Sequence, residues 1–352
     1  MTEKRKINKV SIARPLLLIL IAGSFAIGIF IGAGMGLFSP LPTVKSKSVS
    51  DGGEGNFQFI RKSMNVKDAQ GQLASKELKP FQYKVNARIA GALKQGEADA
   101  VSIYFRDLNN GNWFGINEHD KFSPRSLLKI PLMIAYFKWA ETNPLVLRKT
   151  LTYTTTNESS GEGHDRPAKQ LEMGQTYTVN DLLYRMIVHD DPEADALLYA
   201  SLPAGRLEKI FKDLYVGYDP HKQEDSLSLN AFAAFYRVLF NASYLSEEMS
   251  EKALRYLSKS SFREGISSGI PPNIDIASNH GERMISITEN GEEKELTQVH
   301  EVGIIYHSNR PFLLGITVRG DDFEQLVTVI RDITHLVYEE VDQQSQLDAN
   351  AP

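Results

Sequence analysis

The chain has 352 residues, 42% of them hydrophobic, with 39 Lys+Arg against 44 Asp+Glu and no cysteine. That is length for one large domain or two small ones, and the missing cysteine excludes a disulfide scaffold, a zinc-cysteine site, a lipidated N-terminal cysteine and thiol catalysis. Residues 1–14 carry Lys4, Arg5, Lys6, Lys9 and Arg14 against Glu3, so a net charge of -5 leaves an acidic remainder, which argues against nucleic acid as a partner.

From Pro15 to Phe38 the sequence reads PLLLILIAGSFAIGIFIGAGMGLF, 24 residues without a charge. As a helix this run spans roughly 36 Å, enough to cross a bilayer. It is longer than a cleavable signal core and no A-x-A-like site follows it, so 15–38 reads as a retained transmembrane anchor rather than a removed signal peptide. The basic residues before it place the tip, 1–14, in the cytoplasm and everything after Phe38 outside, as in a single-pass protein of the cell membrane with an extracytoplasmic domain. Ser24, Gly28, Gly32 and Gly36 recur every four residues, a small-residue stripe along which two such helices can pack as a homodimer.

Residues 39–79 begin SPLPTVKSKSVSDGGEGN, show little apolar periodicity and read as an extracytoplasmic linker. A domain is expected over 80–341. It opens with a helix at 81–95, then two strand-like runs, DAVSIYFRDL and NWFGINEHD, joined by the hairpin turn Asn109-Asn110-Gly111. Helical patterns fill the chain from Pro124 to about Leu257. Strand patterns return as NIDIASN, MISITE, HEVGIIYHS and RPFLLGITVRG, and FEQLVTVIRDITHLVYEEV closes the domain as an amphipathic helix. Residues 342–352, DQQSQLDANAP, read as a disordered polar tail. This order predicts an α+β fold: an antiparallel sheet flanked by helices, with an all-helical subdomain spliced in and a cleft where the two meet.

The residues that carry chemistry sit where the helical part begins. Ser126-Leu127-Leu128-Lys129 lies just inside a predicted helix, with Ser123 as its cap and Pro124 in its first turn. Residues i and i+3 share a helix face, so the hydroxyl and the amine can meet. A serine hydroxyl needs an adjacent base to act as a nucleophile, and a partly desolvated lysine can serve as one. The helix is apolar nearly all round, which predicts burial, and a buried lysine needs a partner or a purpose.

Phe122-Ser123-Pro124-Arg125-Ser126-Leu127-Leu128-Lys129-Ile130-Pro131-Leu132 resembles the nucleophile helix of class A serine β-lactamases and the related penicillin-binding DD-peptidases. In order along the chain, Gly174 to Leu183 with Met186-Ile187-Val188 resembles the helix leading to that family's S-D-N loop. Gly269-Ile270-Pro271 resembles the approach to its K-T-G strand, and Gly303-Ile304-Ile305-Tyr306 with Arg310-Pro311-Phe312 resembles the next two strands. The likeness covers roughly 80–340. It implies a serine β-lactamase/DD-peptidase-like fold and an acyl-enzyme mechanism with Ser126 as nucleophile, Lys129 as base, the backbone N–H groups of Ser126 and Glu282 as oxyanion hole, and no metal or other cofactor.

Two motifs depart from the pattern. Where the family has S-D-N this chain has Asp190-Asp191-Pro192, and where it has K-T-G it has Asn279-His280-Gly281. Asp190, Asn279, His280, Gly281 and Glu282 are therefore the candidate substrate-binding positions. A carboxylate at 190 near Lys129 would raise the lysine pKa and weaken it as a base, and Asn279 removes the cation that the family uses for the substrate carboxylate. Each such charge pair is worth about 4 kcal/mol at an effective dielectric near 20, so ordinary penicillins should bind poorly. Asp191-Pro192-Glu193 also reads as a plain helix start. His280 reads either as a proton carrier or as a satisfied structural histidine. The family's deacylating glutamate has no clear counterpart: Tyr215 to Ser226 lacks its E-x-x-L-N pattern and offers only Glu224 and Asp225. Two readings follow, a serine hydrolase of the cell envelope acting on β-lactam-like or cell-wall peptide amides, and a catalytically inactive relative that binds an envelope peptide or protein.

Overall fold

The computed structural model describes residues 57–61, 78–154, 170–218, 227–289, 292–308 and 310–349. The chain divides into two units, Met1–Asn56 and Phe57–Pro352, and the described residues all belong to the second. The expected basic tip 1–14 and anchor 15–38, with its small-residue stripe, lie outside the described residues; among those described, no helix is long and apolar enough to cross a membrane.

Helix α1, Lys79–Gln95, starts two residues before the predicted span, with Pro80 in its first turn. It buries Phe81, Val85, Ile89 and Ala92, spaced by four, four and three residues, along one stripe. It stops at Gly96, whose φ of 71° is the left-handed conformation that favours glycine at a helix end. Strands β1, Ala100–Asp107, and β2, Trp113–Ile116, form the predicted hairpin. With β5, Ile276–Glu289, β6, Glu292–Ile305, and β7, Phe312–Gly320, they make one antiparallel sheet in the order β2-β1-β7-β6-β5.

Alternation along the strands divides the core. Val101, Ile103, Phe105, Leu314, Ile316 and Val318 face α1 and the C-terminal helix α8, Phe323–Ala349. Tyr104, Val302, Ile304 and Leu313 face the helical part of the chain. That part contains α2, Lys129–Thr142, α3, Val179–Val188, α4, Pro192–Ser201, α5, Arg206–Asp213, α6, Leu229–Phe240, and α7, Glu247–Leu257. A short ribbon of β3, Thr150–Thr152, and β4, Thr176–Thr178, accompanies it. Thr178, Asp191, Ser228 and Ser246 cap α3, α4, α6 and α7 through their side-chain oxygens, the chemistry that satisfies the first free N–H groups of a helix. Helix α2 is buried on nearly every side, as its all-round apolar sequence requires.

Three expectations are corrected. NIDIASN and MISITE are not separate strands: they belong to the single 14-residue β5, paired residue for residue with β6. The tail is not free from 342 onward: α8 runs to Ala349. Asp342 meets His307 at 3.1 Å, Gln344 accepts from Arg310 at 3.0 Å, and Ser345 is buried. Nor is all of 39–79 linker. Phe57–Arg61 docks on the domain, with Phe59 and Ile60 in the core and the Phe59 ring edge-on to Tyr306.

The docking rests on one carboxylate. Buried Glu251 on α7 accepts the backbone N–H groups of Gln58, Phe59 and Ile60 at 3.0, 2.9 and 3.2 Å, while Arg255 donates to it at 3.1 Å. The Arg61 N–H reaches the Phe240 carbonyl at 2.9 Å. Glu251→Ala leaves three donors without their acceptor and should cost on the order of 3 kcal/mol. Hydrogen exchange is the check: the Phe59 and Ile60 amides should lose protection in the variant, and unchanged protection would refute the clamp.

Candidate active site

Ser126 and Lys129 do not share one α-helix. Arg125–Leu128 is a 3-10 turn, closed by a Leu127 N–H to Pro124 carbonyl bond of 2.6 Å, and α2 begins at Lys129. In a 3-10 turn positions i and i+3 eclipse, so the spacing still stacks 126 beneath 129 along the backbone. The side chains of Arg125 and Ser126 lie outside the described residues. Ser123 is not the helix cap: its buried hydroxyl accepts a hydrogen bond from Arg283.

Lys129 is 4% exposed and its Nζ lies 2.5 Å from Asp190 Oδ1. Local folding explains the approach. Helix α3 stops at His189, whose N–H bonds the Arg185 carbonyl, and Asp190 then takes a left-handed φ of 52°. Aspartate tolerates that conformation better than most residues. Asp191 then caps α4, its Oδ1 accepting from the Glu193 and Ala194 N–H groups at 3.0 and 3.1 Å, while Oδ2 pairs with Arg185 at 3.1 Å. Asp191-Pro192 is thus the helix start, and the reversal before it carries the Asp190 carboxylate to the amine.

Burial pulls the Lys129 amine down, but the charges of Asp190, Asp195 and Asp191 outweigh it and the net shift is upward from 10.5. Burial pushes the Asp195 carboxyl up to about 6, with Asp190 and Asp191 adding to the rise and Lys129 opposing it. At neutral pH the amine is therefore a held ammonium and a poor base.

The third motif sits in β5, which lies against the 3-10 turn. Ala277, Asn279, Gly281 and Arg283 alternate onto the face toward the helical part, opposite Ile304, Val302, His300 and Gln298 of β6. Asn279 is buried and its Nδ2 donates to the His280 carbonyl at 3.1 Å. His280 turns to the other face and stacks on Phe262, ring centroids 3.9 Å apart and planes 11° from parallel. That contact favours the structural reading over the proton carrier. Glu282, half-buried, alternates to the His280 face, so it is its backbone that borders the site. His189 stands edge-on to Tyr184. Of the loop acids, Glu224 and Asp225 lie outside the described residues.

Two participants escaped the sequence. Asp195 was legible as one turn beyond Asp191 on the same helix face. His300, across from Gly281, is pushed down to about 3 by burial, with its electrostatic coupling to His280, Arg319 and Lys129 adding to the fall, so it stands neutral beside Phe122. Behind β5, Glu301 accepts the Ile266 N–H at 2.7 Å and the Ser278 hydroxyl at 2.9 Å, and burial pushes it up to about 7 against the pull of those bonds and Arg263. A Cβ on Gly265 would sit 2.2 Å from this carboxylate, so only glycine lets the loop close over it. No group of metal-ligating side chains occurs among the described residues.

The model of the beta-lactamase enzyme family matches residues 84–341. Among solved structures, a variant of PBP-A captured as an acyl-enzyme complex with penicillin G is similar at a TM-score of 0.60 and 16% identity, over 75% of this chain and 97% of that one. A beta-lactamase from Xanthomonas campestris gives 0.61 at 17% identity over 73% and 97%. One from Chitinophaga pinensis gives 0.61 at 19% over 75% and 100%. At these identities the structural likeness is one of fold. A comparison with curated proteins finds no match.

Asp190→Asn should lower the Lys129 pKa, read from the Nζ resonance, and destabilise the fold by about 3 kcal/mol by leaving a buried ammonium poorly matched. Because the folded state raises this lysine, its contribution is full below the unfolded value of about 10.4 and fades as pH rises through the folded value. An unchanged Nζ titration would contradict the pairing. Glu301 gives a dependence of the same sign in a lower pH window. Its folded value near 7 lies above an unfolded value of about 4.3, so stability should fall between those pH values as the unfolded chain releases its proton first. Chemical denaturation of Glu301→Gln across that window should show a flatter profile, with the Asp195 part of the slope remaining; a slope equal to that of the parent would reject the assignment.

Proposed function

The chain belongs to the beta-lactamase enzyme family, and on that basis we propose that it is a membrane-anchored, extracytoplasmic serine hydrolase. It forms an acyl-enzyme at Ser126 and acts on cell-wall peptide amides in preference to ordinary penicillins. The anchor is the apolar run 15–38, which can also bring two copies together through its small-residue stripe.

The observation that carries this reading is the Lys129–Asp190 pair, 2.5 Å across, with the amine buried and the carboxylate partly exposed. Asp190 occupies the position of the family's proton-passing serine, and a carboxyl there can do the same task in another protonation state. When a ligand covers the site and excludes water, the ion pair loses its advantage over the neutral pair, and the proton passes from the ammonium to the carboxylate. The freed amine takes the Ser126 proton as the oxygen attacks the amide carbonyl. The Asp190 carboxylic acid then protonates the departing amine, the Ser126 ester remains, and the lysine is again the ammonium. The N–H groups of Ser126 and Glu282 hold the oxyanion. Asn279 in place of a cation, and an added carboxylate at 190, disfavour ligands whose anionic group sits at the inner end of the cleft.

A second reading has one observation of its own: with Lys129 held as an ammonium, the cleft binds an envelope peptide or protein and performs no chemistry. Labelling separates the two. Purified protein should give Ser126-dependent adducts with a fluorophosphonate, and with a labelled penicillin more slowly, each absent from Ser126→Ala. Asp190→Asn should slow the penicillin adduct by about a hundredfold, the scale of lost general acid–base catalysis. Fluoride needs no proton to leave, so the fluorophosphonate adduct should slow less. Absence of any Ser126-dependent adduct would leave the binding reading alone standing.

A further inference from the structure

The cation missing at position 279 has a counterpart farther along the same strand. Arg283 is on the face that Asn279 and Gly281 share, four and two residues on, which at about 3.3 Å per residue sets it outward along β5. It stands directly across from Gln298 on β6, and Gln298 directly across from Arg319 on β7, so a row of three long polar side chains crosses the sheet. The row is braced against the segment that leads into the Ser126 turn. Arg283 donates to the Ser123 hydroxyl, Gln298 Nε2 donates to the Ser123 carbonyl at 3.2 Å, and Arg319 donates to Gln298 Oε1 and the Lys121 carbonyl, each at 3.0 Å.

Arg283 is half-buried, and among the described residues no carboxylate pairs with it. Its fixed partner is an alcohol, which leaves its positive charge unneutralised there and most of its five N–H donors uncommitted to that contact. Ser123, itself buried, braces the guanidinium from behind. A guanidinium at the edge strand of the sheet, half-buried and held from behind by a hydroxyl, can offer its remaining N–H donors to an oxyanion. At the inner end the charge has the other sign: Asp190, Asp191 and Asp195 lie around Lys129, and Arg185 pairs with Asp191.

We propose that Arg283, positioned by the Ser123 hydroxyl, forms a carboxylate-binding site at the outer end of the cleft, which sets the direction in which an acidic acyl donor or peptide lies along β5. The ligand's carboxylate rests on Arg283, its reacting carbonyl points inward, and the acidic corner around Asp190 rejects the reversed orientation. This rests on the proposed function for the identity of the cleft, but not on its chemistry.

The test uses Ser126→Ala protein, in which no acyl-enzyme can form, and compares benzylpenicillin with its methyl ester by NMR titration. The acid should bind about tenfold more tightly than the ester, as one charge-assisted contact allows, and raising the ionic strength should weaken the acid alone. Arg283→Gln should bring the ratio close to one, whereas Arg283→Lys, which keeps the charge but loses the fork, should retain part of it. Ser123→Ala, which leaves the arginine in place, should lower the ratio less. No preference for the acid in the parent protein, a ratio indifferent to Arg283→Gln, or no detectable binding of the acid at millimolar concentration would overturn the site. Absence of a Ser126-dependent adduct in the labelling experiment sinks the hydrolase reading only, and leaves the acid-to-ester ratio to decide the site.

Discussion

An ammonium cannot be buried without an opposite charge beside it, and the helical half of the molecule is arranged to meet that requirement at Lys129. The amine sits at the first residue of α2, a helix apolar on nearly every side, so its counter-charge has to come from elsewhere. It comes from the corner between α3 and α4, where a left-handed aspartate reverses the chain. The neighbouring Asp191 holds the corner shut by capping α4 and pairing with Arg185. Packing, capping and charge thus specify one another: moving the corner would strand the lysine, and removing the lysine would leave the carboxylates at 190, 191 and 195 with Arg185 as their one paired cation among the described residues.

The same arrangement gives the proposed cleft an electrical direction. Carboxylates collect at its inner end, a neutral amide and a glycine occupy the middle of β5, and a guanidinium stands at the outer end. In the family that the chain resembles, the cation lies near the middle. Shifting it outward along a strand moves it by about two residue spacings per step on the same face, so the change preserves the fold while altering which anionic ligands fit.

The helices, the hairpin and the antiparallel pairing were legible because their apolar residues recur with the period of each element, and Asp191-Pro192-Glu193 carried its own helix-start chemistry. Other features depend on partners remote in the chain. β5 looked like two strands because Asn279 to Arg283 is polar or glycine, yet its pairing with β6 continues through that stretch. The end of α8 looked unstructured because His307 and Arg310, which hold it, lie in the turn between β6 and β7. The reach of Asp190 to Lys129, 61 residues apart, came from the family likeness and not from any local pattern. His280 was a different case: counting alternation from the apolar Ala277 already sends it to the far face, and its ring–ring contact with Phe262 agrees.

The clamp on Phe57–Arg61 also decides how the domain answers a pull. Any tension entering along the N-terminal side of the chain meets Gln58, Phe59 and Ile60 before it reaches the sheet. Their three N–H groups hang on a single carboxylate, and the Arg61 N–H on a second acceptor, the Phe240 carbonyl, so the load is shared among four bonds. Phe59 in the core acts as a wedge behind them. Force is thereby delivered first to α6 and α7, on the side of the fold opposite the α1–α8 layer.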